Sequence, residues 1–332
     1  MGKPFRIDIH HHMFPDFLLK ALNEVGVSES GGIKIAKWSL EDSIKMMDRL
    51  EVETAIFALT EPGITPFVGP HPEKAKELAR KINEYMAELH ERYPQRFGGF
   101  AILPLPNLED AIEEAIYALD VLKLDGIGLL SNYGPEFLGD DKFEPLFAEL
   151  NKRKAVAYIH PSTPGPHSWR PHYIPIDSPL EFMFCTTRAA ANLIFSGTME
   201  KFQDVDFILS HAAGTLPYLK FRLDEFWVKY KPGQSFKEEK ITESWQSLTM
   251  PPSGYMAKFW YDNCTATSKI VFEAVKDICG YYRMMYGSDY CFASPLIRDN
   301  MDAVLNSYGF TEEEKYLMDR GYAEQLFPRF KK

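Results

Sequence analysis

Eight short runs rich in β-branched and aromatic residues recur along this chain, separated by longer stretches whose apolar residues return every three or four positions. The runs fall at 5–9, 54–59, 97–103, 126–131, 155–160, 205–210, 258–263 and 283–288. Helical periodicity occupies about 40–50, 72–92, 108–122, 142–153, 180–200, 215–230 and 267–279, and the tail 295–328 reads as two or three helices. Ser39 with Asp42, Asn107, and Thr311 with Glu314 stand where helix N-caps belong. Eight strand–helix alternations in 332 residues predict an α/β chain folded as a (β/α)₈ TIM barrel, a fold that typically takes ~250 residues. A doubly wound open sheet is the alternative, but the turn after its first strand is normally glycine-rich. Here that turn carries His10, His11 and His12.

The extra length collects in two places. A Pro-rich loop at 161–180 follows the fifth strand, an insertion at 231–256 precedes the seventh, and helices close the C-terminus. Nothing resembles a linker or repeat, so residues 1–332 are expected to form one domain, with both segments shaping the pocket.

Composition narrows the partners. A net charge of −10, from 37 basic and 47 acidic residues, argues against nucleic acid and anionic membranes. An anionic substrate then needs a local positive centre. No apolar run reaches membrane-span length, and the first residues lack a signal-peptide layout. The cysteines Cys185, Cys264, Cys279 and Cys291 have no CxxC spacing, and reduced thiols in the cytoplasm are expected.

Barrel chemistry gathers at the C-terminal ends of the strands. There the first strand ends in His10 and His12, the fifth in His160, the sixth in His211 and the eighth in Asp289. Alternation sends His10 and His12 to one face and His11 to the other, where a structural role is expected. His10, His12, His160 and Asp289 form a three-nitrogen, one-oxygen set suited to one divalent ion, Zn²⁺ first and Mn²⁺ second. The fourth strand ends in Leu130-Ser131-Asn132, with no ligand to bridge a second ion. His211 is left for proton transfer. Arg188 and Arg222 are candidates for holding a substrate carboxylate, with helix-surface salt bridges as the plainer alternative. Tyr290 and Phe292 can wall an aromatic substrate. His167, Trp169, Arg170 and His172 lie in the loop over strand five, where one of them could reach substrate. His71 and His90 read as solvated helix residues.

IDIHHH, YIHP, SHAAG and YGSD stand in the order and spacing of the amidohydrolase-related metal-dependent decarboxylases, and the chain resembles their 6-methylsalicylate decarboxylase-like branch over nearly its whole length. The resemblance implies that His10, His12, His160 and Asp289 ligate the metal and that His211 is the acid–base histidine. It also implies that Arg222 reaches a neighbouring subunit's site, hence a homodimer or dimer-based oligomer. Ala212-Ala213-Gly214 replaces three glycines found in the semialdehyde-decarboxylase relatives, so the oxygen-binding pocket there is expected to be tighter. Cys185 and Cys291 replace an acid and a proline. The expected activity is non-oxidative decarboxylation of an ortho-hydroxybenzoate-like acid, Asp289 being the first candidate for the proton donor and His211 the second. Hydrolysis of a lactone or amide is the alternative chemistry, and a non-catalytic binding barrel is a third reading.

Overall fold

The computed structural model describes residues 5–163, 170–230 and 235–332. The barrel strands are β1 (Arg6–His12), β2 (Val52–Ala58), β3 (Phe97–Ala101), β4 (Gly126–Leu130), β5 (Val156–His160), β6 (Asp206–Leu209), β7 (Trp260–Asp262) and β8 (Met284–Met285). They follow one another in chain order around a single parallel sheet. The chain just after β8 closes the ring onto β1: Asp289 N–H donates to His10 O at 3.0 Å and Ile9 N–H to Tyr286 O at 3.0 Å. The (β/α)₈ expectation is met.

Local rules place the helix starts. Ser39 Oγ accepts the Asp42 N–H at 3.1 Å, Asn107 Oδ1 accepts the Asp110 N–H at 3.4 Å, and Thr311 with Glu314 completes a capping box. The boundaries differ where tertiary pairing intervenes. β1 runs on through all three histidines, because its far end pairs with β2 and with Tyr290. β8 is only two residues long, since Tyr286 N–H leaves the ladder for Met318 O at 3.0 Å. The stretch 180–200 breaks into Glu181–Phe195 and Thr198–Lys201 at Gly197, whose φ is 77°.

Inside the barrel Phe100 stacks on Tyr158 with centroids 5.1 Å apart. A short hairpin, Glu29–Ser30 with Ile33–Lys34, folds over the C-terminal mouth and has no counterpart in the sequence reading. The described part of the insertion, 235–256, turns outward: Trp245 stacks on Phe195 at 4.2 Å and packs against Phe236. Among the described residues, no helix is long and apolar enough to cross a membrane.

Candidate metal centre

Asp8 organises the first strand. Its Oδ1 accepts the backbone N–H of His10 (3.1 Å) and of Ser288 (3.0 Å), and its Oδ2 accepts from Ser288 Oγ at 2.6 Å. This ties β1 to the segment that carries Asp289. His11 faces away from the site, bonded to Asp8 Oδ2 (2.9 Å) and Ser43 Oγ (2.8 Å), which is the structural role expected of it. His10 and His12 point inward, fully buried, with their Nε2 atoms 3.0 Å apart.

Those two nitrogens are not bonded to each other through hydrogen. His12 Nδ1 lies 2.9 Å from Ala58 O and His160 Nδ1 lies 2.8 Å from Pro161 O. A carbonyl oxygen only accepts, so each Nδ1 carries the proton and each Nε2 the lone pair. His10 Nδ1 likewise donates to Asp262 Oδ2 at 2.8 Å. Ligand atoms of His10, His12 and His160 lie within 4.8 Å of one another, and Asp289 Oδ1 is 3.3 Å from His12 Nε2 and 3.7 Å from His10 Nε2. Three lone pairs and a carboxylate converging this closely repel unless a cation stands among them, so the donor set fits a divalent ion.

His211 stands beside this cluster, its ring centroid 4.9 Å from that of His10. Its backbone N–H donates to Asp262 Oδ1 at 2.7 Å, while its buried Nδ1 has no hydrogen-bond partner. His211, Ala212, Ala213 and Gly214 all have positive φ, between 51° and 64°. Left-handed backbone costs about 1 kcal/mol or more per non-glycine residue, and the Asp262 bond helps hold it. Gly214 is obligatory, because a Cβ there would lie 2.2 Å from Met183 O. Ala212 and Ala213 are buried and do not line the cavity described next.

Above the cluster opens a cavity of about 410 Å³. His160, His211 and Asp289 form its floor, Ser30, Thr60 and Thr265 add hydroxyls, and Phe182, Met183, Phe292 and Ile297 make apolar walls. Ser178 and Pro179 of the strand-five loop also line it; no described residue of 235–256 does. No arginine or lysine is among the described lining residues. Arg188 and Arg222 lie on the outer surface of this single chain, over the rings of Phe184 and Phe226, away from the cavity. Phe292 does line the cavity, while Tyr290 packs against His11 instead. Arg170 pairs with Asp177, His172 is exposed, and His167 and Trp169 lie outside the described residues. His71 is exposed, whereas His90 is half-buried and bonded to Phe97 O at 3.0 Å.

Sequence reasoning missed Asp262 and Thr60. Asp262 bonds His10, the His211 backbone, Tyr158 OH (3.2 Å) and the Cys264 N–H (3.1 Å). Its signal was present, a carboxylate at the end of the seventh strand in KFWYDN. Thr60 Oγ1 sits 3.2 and 3.3 Å from the ring nitrogens of His160, a contact no spacing rule announces.

Protons and a cation compete for the same nitrogens. Burial opposes charge on His10, yet Asp262 at Nδ1, with Asp289 and Asp8 beyond it, raises its pKa above 6.5. Burial holds His12 and His160 below that value, and holds His160 well below it. Metal affinity is therefore expected to be full above the His10 pKa and to weaken as pH falls through it, by about tenfold per unit. Titration against a chromophoric chelator between about pH 8 and about pH 5 checks this; unchanged affinity across that range contradicts it.

A parallel eight-stranded barrel with three histidines and an aspartate gathered at its strand ends defines the metal-dependent barrel enzymes. The sequence profile of the amidohydrolase family matches residues 7–329. The chain belongs to that family. It is 36% identical to the decarboxylase yanB of Aspergillus niger, over 98% of this chain and 88% of the relative. It is 32% identical to a 6-methylsalicylic acid decarboxylase of Penicillium expansum, over 98% and 97% of the two chains. Its fold is similar to that of a 5-carboxyvanillate decarboxylase from Novosphingobium aromaticivorans, solved with manganese and a nitrobenzoic acid bound: TM-score 0.81, 20% identity, 98% and 97% of the two chains covered.

Proposed function

We propose that this protein is a metal-dependent carboxy-lyase that decarboxylates an ortho-hydroxybenzoate-type acid, 6-methylsalicylate-like, without oxidation. One observation carries the reading: the histidine–aspartate cluster floors a cavity with apolar walls and no basic side chain among its described lining residues. In such a cavity an aromatic monocarboxylate finds its only strong positive centre at the cluster. His10, His12, His160 and Asp289 would hold a divalent ion, which would supply Lewis acidity and a positive anchor for the substrate's carboxylate end. We assign one such ion, Zn²⁺ or Mn²⁺, the latter supported by the manganese in the similarly folded carboxyvanillate decarboxylase.

The residues' protonation states set the proton's route. Burial alone would raise the Asp289 pKa, but the imidazoles of His12 and His10 beside it lower it. Burial, then the charge of His10, brings His211 down to about 4. At neutral pH Asp289 is thus a carboxylate and His211 a neutral imidazole, so neither brings a spare proton. The proton that reaches the ring arrives with the substrate. Asp289 takes it from the ortho-hydroxyl and delivers it to the ring carbon bearing the carboxylate. The carbon–carbon bond then breaks, its electron pair restores the aromatic ring, and CO₂ leaves. The phenolate takes up a proton from solvent. His211 is the second candidate for the same transfer. Phe182, Met183 and Phe292 exclude water and so strengthen the charge interactions beneath them.

Incubating the metal-loaded protein with 6-methylsalicylate in H₂¹⁸O tests the reading. CO₂ release with an ¹⁸O-free phenol is the expected result, and an acid carrying solvent oxygen from a lactone or amide panel indicates hydrolysis instead.

We further read residues 1–332 as one domain and the protein as a cytoplasmic homodimer or dimer-based oligomer. Four free cysteines support the compartment. Tyr218 and Phe221, 89% and 74% exposed just ahead of Arg222 in the chain, support the contact between subunits.

A further inference from the structure

Behind Thr60 the barrel interior keeps a second void, of about 20 Å³, walled by Phe100, Ile102, Leu103, Leu130 and the bare backbone of Gly128. Thr60 lines this void and the large cavity alike, and so stands as the partition between them. Each hydroxyl nearby has one bond in place. Thr60 Oγ1 is against His160, Thr65 Oγ1 donates to Pro62 O at 2.7 Å, and Tyr133 OH accepts the Leu130 N–H at 3.1 Å. The rest of the wall is apolar carbon and offers a water little of the two to four partners it needs, and apolar voids take up small apolar molecules.

The void exists because position 128 has no side chain, and neither the backbone nor its neighbours demand that. Gly128 has no positive φ, and a Cβ there meets nothing nearer than Phe100 Cβ at 3.5 Å. Its neighbour Gly126 is different, since a Cβ there would lie 2.4 Å from Val156 O. Gly128 is the one residue of β4 that is not buried.

We propose that this void receives the CO₂ released at the metal centre, which passes the Thr60 side chain to reach it. The inference rests on the decarboxylase reading above. When the ring–carboxylate bond breaks, the electron pair stays with the ring and the carboxylate carbon departs as a neutral, linear molecule with no net dipole. Such a product needs no hydrogen-bond donor, and a dry slot one small molecule wide suits it. Its removal from the ring carbon opposes recombination.

Wild-type holoenzyme crystals pressurised with xenon, and separately with CO₂, are expected to show density between Thr60 and Gly128. Gly128→Ala fills the void and is expected to lose both densities while keeping its metal and the KM for the aromatic acid within about twofold. Assayed in the carboxylation direction, the variant is expected to raise the KM for CO₂ about fivefold or more, with the KM for the phenol unchanged. Absence of both gases from the wild-type void overturns the proposal, as does a folded Gly128→Ala enzyme with wild-type CO₂ dependence. The gas experiment needs no turnover. Xenon bound in a chain that releases no CO₂ from any ortho-hydroxybenzoate overturns the decarboxylase reading instead.

Discussion

Asp289→Asn is expected to lower kcat by about a thousandfold or more while leaving the KM for the aromatic acid nearly unchanged. The two side chains have the same shape. Asn keeps an oxygen for the cation, but its amide cannot take a proton from the substrate hydroxyl and return it to the ring carbon. Of the four clustered side chains, Asp289 and His160 face the cavity, and the Asp289 side chain is 17% exposed against 0% for His10 and His12. Single-turnover decarboxylation with metal content measured in the same sample separates lost chemistry from lost metal. A fully loaded Asp289→Asn enzyme within tenfold of wild type removes Asp289 from the proton path and leaves His211 as the carrier. His211→Ala is then the variant expected to fail.

Asp262→Asn is expected to weaken metal binding by about 10–100-fold. The carboxylate orients His10 by accepting from Nδ1 at 2.8 Å, and it accepts the backbone N–H of His211 at 2.7 Å on its other oxygen. An asparagine oxygen can still serve one of these partners, so the fold survives. The anionic acceptor that makes His10 a stronger ligand is gone. Asp262→Ala takes the acceptor from these two and from Tyr158 OH and the Cys264 N–H, at about 1–3 kcal/mol for each group left buried and unbonded, and is expected to lower Tm as well. Competition against a chelator reads the first effect and thermal unfolding of the apoprotein the second. Metal affinity equal to wild type in Asp262→Asn shows that packing alone, through Tyr158 and the strand ends, aims His10.

The barrel and most of the centre were legible without coordinates, for reasons that are local. Alternation within β1 separates His10 and His12 from His11 because the side-chain period of a strand is two. Parallel strands joined by helices place all C-terminal ends on one rim, which brings His160, His211 and Asp289 toward His10 and His12. Helix caps at Ser39, Asn107 and Thr311 involve residues only three apart, so they too could be read from spacing.

Contacts across the ring were another matter. Asp262 is 252 positions from His10, and a carboxylate at a strand end looks alike whether it binds a metal, a histidine or water. Thr60 lies 100 positions from the His160 ring it touches. The outward turn of 235–256 follows from Trp245 finding Phe195, a pairing that hydrophobicity alone does not choose.

Period and strand order are properties of the chain, and they sufficed for the architecture and for which residue types meet at its rim. Which carboxylate holds which imidazole, which walls face the cavity, and that a missing methyl at Gly128 leaves a void behind Thr60 depend on distances between remote segments. Those distances come from how the whole core packs, and no run of neighbouring residues encodes them.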